Sequence, residues 1–422
     1  MKILYTRGAV VFLVFCSLLI DVMIYGIVVP ALPELLQEKF GSPVSLNGLF
    51  VAIFGFGVLI GAPSSSYFSD KYTNRKMPMI AGFLIFAGGS LGIAFANSIA
   101  VLYISRLVQG IGSGITWSVG LASVIDIYPA DMLDTPMGIV YTGLTIGETS
   151  GPIINASFAQ EQNHTEVSMD SNNNIPKNEQ KTCTHPEVPV DSKPNFDSPK
   201  SSFRQNVEQI DRQITYWSMI KESRIGLLCL IVIFAYGLIG SVEVVVPVNF
   251  SEKGLDSDKI GYSFIALTVA SAIGGLLMGY VLESKYMTNK FGPYKKRFVV
   301  IMVGNAAAGI LNLFLGLSKS IPLSIVFLGL VGFFLGAGNA PIMSALGAHI
   351  QNMSKGLSSN SNSKVFSLFN IAFSISAMAM PILSSIIYKA TSLFISCLIL
   401  GLLLAGFTVL SMLYLIFYTK DE

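Results

Sequence analysis

Residues 8–32 read GAVVFLVFCSLLIDVMIYGIVVPAL, and Asp21 is the single charged side chain in this run of 25 residues. A helix needs about 20 apolar residues to cross the hydrocarbon core of a bilayer. The run is longer than the apolar core of a secretory signal peptide, which takes about 7–15 residues, and it lacks a small-residue cleavage site. It therefore predicts a retained membrane-spanning helix.

Ten further runs of this kind follow along the chain. They lie near residues 45–68, 77–96, 100–123, 137–158, 224–248, 260–282, 298–317, 321–349, 365–388 and 391–417. Hydrophobic residues make up 52% and charged residues 12% of the 422 positions, whereas soluble proteins carry about 25% charged residues. Because so few charges cannot cover the surface of a soluble fold, we predict an all-α polytopic membrane protein with eleven spans.

Composition excludes several classes of function. The net charge is +2 and no basic block occurs, so binding to nucleic acid is not expected. The four cysteines and three histidines are widely separated, so neither a disulfide framework nor a metal site is predicted. No P-loop pattern occurs, which argues against a nucleotide-driven pump. We therefore expect neither an enzymatic activity nor a cofactor.

One long hydrophilic stretch divides the chain into three parts. We predict an N-terminal bundle of five spans at 1–158, a polar disordered linker at 159–223 and a C-terminal bundle of six spans at 224–422. The linker is too polar to bury a core of its own. A regulatory tail is the alternative interpretation of this segment.

Positive charge in the loops predicts their orientation. The loops at 69–76 and 283–297 carry three and five Lys or Arg residues, and such loops tend to stay in the cytosol. Five crossings that start in the cytosol end on the far side, so both loops can be cytosolic only if a sixth crossing precedes residue 224. Either the second half is inverted, or a helix is missing near 156–165, and we favour the missing helix.

Three carboxylates, Asp21, Glu148 and Glu243, lie inside apolar runs. A charged side chain at membrane depth costs about 2.5–3.5 kcal/mol on insertion scales, so each is a functional candidate. Removal from water favours the protonated form of a carboxyl group. A carboxylate that binds either a proton or a cation is therefore a minimal device for antiport.

Two further observations concern these carboxylates. Asp21 lies nine residues before Pro30, and Glu243 lies four residues before Pro247. If the two prolines are aligned, the carboxylates are offset by five residues along the helix, or about 7 Å in depth. This offset suits a proton relay better than a shared pair. Glu148 has a structural alternative, in which it bonds the helix bend expected three residues later at Gly151.

Charged motifs at matching places in the two halves indicate a repeat. Residues 66–76 read SYFSDKYTNRK, and in the second half Glu283 ends a run before KKR at 295–297. The first motif resembles that of the major facilitator superfamily, which runs G-x-x-x-D-R/K-x-G-R-R/K between the second and third helices. The resemblance implies a fold of two helix bundles, with Asp70 paired to basic groups at a helix end. It also implies a conformational latch made of Asp70, Lys71, Arg75, Lys76 and Glu283.

Two more motifs are similar to those of proton-coupled members of the superfamily. RLVQGIG at 106–112 resembles the R-x-x-Q-G-x-G motif of the fourth helix, which implies that Arg106 and Gln109 lie on the proton path. The antiporter motif of the fifth helix is matched by Gly138, Gly147, Gly151 and Pro152. Small residues of this kind let helices approach closely.

Within the superfamily, the chain resembles the vesicular amine transporters. The likeness lies in LLID at 18–21, EVVVP at 243–247 and PIM at 341–343. In that family the first-helix aspartate recognises the amine and the seventh-helix glutamate couples it to protons, which implies these roles for Asp21 and Glu243. Asn370 aligns with an aspartate of the family's eleventh helix and is the remaining candidate for substrate or proton binding.

These residues predict a secondary transporter that exchanges organic cations, amines or drugs for protons. The alternatives are a facilitator or symporter of a neutral small solute, and a non-transporting membrane protein that has lost a helix. The expected partners are a small-molecule substrate, protons and the lipid bilayer, and the resemblance implies a monomer. The predicted location is the membrane of an organelle (vacuole, vesicle or endoplasmic reticulum) or the plasma membrane.

Overall fold

A computed structural model describes residues 7–34, 46–72, 75–170, 215–255, 257–353 and 362–418. Within these ranges the chain forms thirteen α-helices and one short 3-10 turn, Ala130–Met132, and no strand. In the first half the helices are α1 Arg7–Glu34, α2 Leu46–Tyr72, α3 Lys76–Ala94, α4 Ile99–Ile127 and α5 Asp134–Asp170. They continue with α6 Tyr216–Lys221, α7 Ser223–Glu252, α8 Ser257–Glu283, α9 Lys285–Phe291, α10 Lys295–Leu317, α11 Ile321–Met353, α12 Asn362–Ala390 and α13 Leu393–Tyr418.

Ten of the described helices are long and apolar enough to cross a membrane, which confirms the predicted all-α polytopic class. The ten are α1 to α4, α7, α8 and α10 to α13. The predicted segment 137–158 lies in α5, which is not among them, so the expected count of eleven spans is approximate.

The segment between α5 and α6 contains several of the sequence predictions. Residues 156–165, where a helix was expected to be missing, belong to α5. By its contacts the chain divides into two compact units, residues 1–156 with 214–422, and residues 157–213. Of the second unit the structure describes only the end of α5, up to Asp170. The predicted linker at 159–223 lies largely outside the described residues, and the three-part division stays a prediction.

Glycines allow close packing within the first unit. In the first half α4 packs on α2 and α3, and in the second half α11 packs on α8 and α10. A Cβ atom at Gly57 of α2 would lie 2.5 Å from the backbone oxygen of Leu107 in α4, so only glycine fits there. Helix α12 also contacts α2 and α4, and it thereby connects the two halves.

The two basic loops lie at the same end of this unit. Arg75, just before α3, bonds Asp126 at the end of α4 with an Nε–Oδ2 distance of 2.8 Å. Arg297, near the start of α10, donates to the backbone oxygen of Ala130, which lies four residues after Asp126. We call this the basic end, defined by Arg75, Asp126, Asp134, Lys296 and Arg297. An inverted second half would place the 283–297 loop at the opposite end, so the geometry argues against inversion.

Candidate functional site

Asp21 of α1 is buried, with 5% of its surface exposed. Its Oδ2 atom accepts hydrogen bonds from Ser113 Oγ and Trp117 Nε1 of α4, both at 2.5 Å. Its Oδ1 atom has no hydrogen-bond partner among the described residues. One oxygen is therefore held in place, whereas the other is available to a ligand.

Aromatic rings from both halves extend away from Asp21. Trp117 stacks on Phe373 of α12 with ring centroids 5.6 Å apart, and Phe373 meets Tyr236 of α7 edge-on at 5.1 Å. The faces of such rings attract organic cations. Sequence reasoning missed these aromatic residues, since an aromatic side chain inside an apolar run carries no signal of its own.

Asn370, the polar residue predicted on the eleventh helix of the family, lies next to this aromatic group. Its Nδ2 atom donates to Ser118 Oγ of α4 at 2.9 Å, across the two halves. Its Oδ1 atom is buried and has no hydrogen-bond partner among the described residues. Asn370 thus offers one free acceptor.

Glu148 and Glu243 form a pair. Glu148 lies on α5 and Glu243 on α7, and their carboxyl groups interact electrostatically with each other. The sequence suggested a relay between Asp21 and Glu243, or a bond from Glu148 to the bend of its own helix. The structure adds an interaction between the two glutamates across the halves, and both of those readings stay predictions.

Arg106 of α4 is completely buried. Its guanidinium carbon lies 5.2, 4.6 and 4.4 Å from the ring centroids of Tyr25, Phe50 and Phe54. The Nη1 atom donates to Gln109 Oε1 at 2.5 Å, whereas Nε and Nη2 have no hydrogen-bond partner among the described residues. The described ion pairs do not join Arg106 to Asp21, so neither depends on the other for a direct charge partner.

Arg75 connects the two halves at the basic end. Besides Asp126 it donates to Ser69 Oγ at 2.6 Å and to Ser363 Oγ of α12. Asn362 of α12 donates to the other oxygen of Asp126 at 2.7 Å. The side chains of Asp70 and Lys71 lie outside those described, and Lys76 is exposed.

Asp134, at the start of α5, is the centre of a second connection. Its side chain has no exposed surface, and its oxygens lie 2.6 and 3.0 Å from Arg297 Nε and Nη2 and 3.5 Å from Lys296 Nζ. Ser344 Oγ of α11 donates to the same carboxylate at 2.5 Å. Every partner belongs to the second half, so this is a buried ionic contact across the molecule.

Glu283 makes a third contact between the halves, at an exposed position. Its Oε1 atom accepts the backbone N–H of Thr135 at 2.9 Å, in the first turn of α5. The predicted latch residue thus contacts the opposite half. Sequence reasoning missed Asp126 and Asp134, because a carboxylate next to an apolar run looks like an ordinary solvated charge at a helix end.

A pocket of about 740 Å³ also lies at the basic end, lined by residues that include Asp126, Asp131 and Arg297. The charges of Asp126 and Arg297 are already paired with Arg75 and Asp134. Among the described residues, no group of His, Cys, Asp or Glu could hold a metal ion. The unpaired polar atoms around Asp21 therefore define the better candidate site.

The glycines of the antiporter motif are positions of close backbone approach. A Cβ atom on Gly138 would lie 3.1 Å from the backbone oxygen of Gly275 in α8. On Gly147 it would lie 2.5 Å from the oxygen of Leu19, and on Gly151 2.6 Å from Cα of Gly26, both in α1. The side chain of Pro152 lies outside those described.

We expect Gly147→Ala to lower the free energy of unfolding by about 1–3 kcal/mol, as overpacking does elsewhere. The added methyl group meets backbone, which cannot move away as a flexible side chain can. Gly88→Ala is the matched control, since Gly88 lies in α3 with nothing within 4 Å of the new Cβ. Thermal unfolding in detergent measures both variants, and equal melting temperatures would contradict the prediction.

Comparison with known proteins relates this arrangement to a family. Residues 14–164 match the sequence profile of the Major Facilitator Superfamily. An uncharacterized MFS-type transporter of Schizosaccharomyces pombe is 29% identical over 141 residues, 32% of each chain. The class B tetracycline resistance protein of Escherichia coli is 26% identical over 289 residues, 63% of this chain and 68% of the relative. The chain spans only about a third of the length of the fungal relatives it matches.

The fold has a solved counterpart. The crystal structure of the human organic anion transporter MFSD10 (TETRAN) superposes with a TM-score of 0.68 at 16% identity, covering 97% of this chain and 99% of that one. At this level of identity the likeness concerns the fold. The profile match over residues 14–164, the transporter relatives and the similar fold relate this chain to the Major Facilitator Superfamily.

Proposed function

We propose that the protein is a secondary transporter that exchanges organic cations for protons by alternating access. The observation that carries this proposal is the buried carboxylate of Asp21, which has one oxygen fixed by two donors and the other without a partner. A buried carboxylate of this kind binds either a proton or a cation, and competition between the two couples their movements.

The surroundings of Asp21 favour an organic cation over a metal ion. Trp117 and Phe373 offer aromatic faces beside the carboxylate, and such faces stabilise alkylammonium groups. The relative named for tetracycline resistance supports a drug-like molecule as substrate. Arg106 and Gln109 are assigned to the proton path, because they are buried on the same helix as Ser113 and Trp117.

Contacts between the halves at the basic end supply a gate. Arg75 with Ser363, Asp134 with Arg297, and Glu283 with Thr135 all join the first half to the second. Access from the basic end requires these contacts to break. We assign Asp70, Lys71 and Lys76 to the same gate from their places at the end of α2 and the start of α3. The positive charge of the loops supports a cytosolic basic end.

A second candidate function is the transport of an organic anion. The observation in its favour is Arg106, whose Nε and Nη2 atoms are buried donors without hydrogen-bond partners among the described residues. A guanidinium with two free donors binds a carboxylate in a bidentate manner. The structural counterpart MFSD10 is an organic anion transporter.

Uptake into proteoliposomes with an imposed pH gradient distinguishes the two candidates. We expect labelled organic amines to accumulate inside acidic vesicles and the accumulation to collapse when a protonophore dissipates the gradient. Vesicles without protein give the background. Accumulation of carboxylates but not of amines would favour the second candidate, and absence of uptake for cations, anions and neutral solutes alike would overturn both.

A further inference from the structure

Four polar side chains of α12 lie on one face of the helix. They are Ser363, Ser367, Asn370 and Ser374, spaced by four, three and four residues. At 3.6 residues per turn these positions fall within an arc of about 60°, and they span about 16.5 Å of the helix. None of them exposes more than 1% of its surface. We call them the buried polar stripe of α12.

The stripe faces the first half of the chain. At the basic end, Ser66 Oγ of α2 donates to the backbone oxygen of Ser363 at 2.8 Å, and Arg75 donates to the hydroxyl of Ser363. Two turns further along α12, Asn370 donates to Ser118 Oγ of α4 at 2.9 Å. The stripe therefore begins at the ionic contacts of the basic end and continues between the halves.

The other end of the stripe lies beside the candidate site. Phe373 stacks on Trp117, whose indole N–H donates to Asp21, and Ser374 is the next residue of α12. A Cβ atom on Gly55 of α2 would lie 3.6 Å from the backbone oxygen of Ser374, so this end also contacts the first half. The stripe thus joins the level of Asp21 to the basic end.

Three members of the stripe carry polar atoms without a hydrogen bond. Ser367 Oγ, Asn370 Oδ1 and Ser374 Oγ are buried and have no partner among the described residues. By contrast, Ser376 on the opposite face of α12 donates to the backbone oxygen of Ile233 at 2.6 Å. An unpaired buried hydroxyl costs stability, and each such group in a native protein calls for an explanation outside packing.

We propose that Ser367 and Ser374 are binding positions for the transported molecule and bond its polar groups as it moves between Asp21 and the basic end. A hydroxyl both donates and accepts, so each serine suits hydroxyl and amide groups alike. The substrate is then an organic cation that also carries such groups, since a hydrocarbon cation leaves both hydroxyls unpaired. The inference deepens the proposed function and rests on it for the charge of the substrate.

Thermal unfolding in detergent, without substrate, is the first test. Ser367→Ala and Ser374→Ala should melt at or above the temperature of the parent, because each removes a buried polar group that has no partner in the protein. Ser376→Ala is the matched control and should melt below the parent, because it removes a bonded hydroxyl from the same helix. Stripe variants that melt below the parent, as the control does, would assign both serines to structure and overturn the inference.

Ser367→Cys and Ser374→Cys test whether an organic cation reaches the stripe. The probe is the methanethiosulfonate of ethyltrimethylammonium, a quaternary cation that attaches to thiols, and the four native cysteines are replaced by alanine. Mass spectrometry should find both new cysteines labelled and Ser376→Cys unlabelled. Labelling of all three at the same rate, or of neither stripe cysteine, would contradict the proposal.

Binding of two matched amines tests the substrate class. Tyramine and phenethylamine share the ammonium group and the ring, and only tyramine carries a hydroxyl. The parent should bind tyramine more tightly, and Ser367→Ala or Ser374→Ala should weaken tyramine binding about two- to tenfold, the range of one neutral hydrogen bond. Binding of phenethylamine should stay unchanged. An equal effect on both amines, or none on tyramine in either variant, would refute the role of the serines.

The melting and labelling measurements need no transport, so the two proposals can fail separately. A parent that accumulates amines while its stripe variants melt low and stay unlabelled refutes the stripe alone. A parent that binds and accumulates no amine, although its stripe variants melt high and are labelled, refutes the proposed cation exchange alone.

Discussion

Asp134→Ala is expected to lower the free energy of unfolding by about 3–5 kcal/mol, the usual cost of breaking a buried ion pair from one side. The carboxylate has no exposed surface, and its removal leaves Arg297 and Lys296 buried without their counter-charge. Thermal or denaturant unfolding in detergent measures the loss. Asp134→Asn should cost nearly as much, because the amide keeps the volume but not the charge.

Asp131→Ala is the control for this prediction. Asp131 is exposed and lies three residues earlier, in the 3-10 turn, so its loss should change stability by about 0.5 kcal/mol or less. The double variant Asp134→Ala with Arg297→Ala should cost less than the sum of the single changes, since both remove the same contact. Additive effects, or a parent-like melting temperature for Asp134→Ala, would show that the contact does not stabilise the fold.

Asp21→Asn is expected to abolish gradient-driven uptake while leaving the protein as stable as its parent. The amide oxygen still accepts from Ser113 and Trp117, so the bonds that hold the side chain in place remain. The cation loses its counter-charge, and a hydrogen bond to a charged group contributes about 1.5–3 kcal/mol. Binding should therefore weaken about ten- to hundredfold. Uptake and detergent melting are measured on the same preparations.

The contacts of Arg106 explain why the Asp21→Asn variant is expected to fold. If Asp21 were the direct charge partner of Arg106, its loss would leave a buried arginine unpaired and the variant would fold poorly. The described contacts join Arg106 instead to Gln109 and three aromatic rings. Asp131→Asn serves as the control and should transport normally. Unimpaired uptake by a stable Asp21→Asn protein would rule out the exchange mechanism.

Hydropathy predicted most of the fold, because apolar runs mark where lipid contacts a helix. The same reasoning explains why the predicted segment and α5 end at different residues. The predicted segment stops at residue 158, where the sequence becomes polar, whereas the helix continues to Asp170. A helix is ended by its backbone and capping residues rather than by the edge of the apolar layer, so hydropathy alone could not locate that boundary.

The candidate site was predictable as single residues but not as pairs. Asp21, Glu148 and Glu243 were identifiable because a charge inside an apolar run is costly. The contact between Glu148 and Glu243 depends on the tilt and register of two helices 95 positions apart in sequence, which no local pattern contains. The bond from Asp134 to Arg297 joins residues 163 positions apart and was hidden for the same reason.

The backbone contact of Gly138 with Gly275 and Gly279 has a kinetic consequence. No side chain separates the two backbones at these glycines, and one turn away the ring of Tyr141 in α5 packs on Gly275 while its hydroxyl bonds Ser271 Oγ of α8 at 3.1 Å. Since the glycine contact itself opposes little, the activation barrier for reorientation of the two halves then resides in the polar bonds between them, of which those of the basic end form the largest group. The activation enthalpy of turnover should accordingly fall when Arg75 or Glu283 is shortened and remain unchanged when lipid-facing side chains are exchanged.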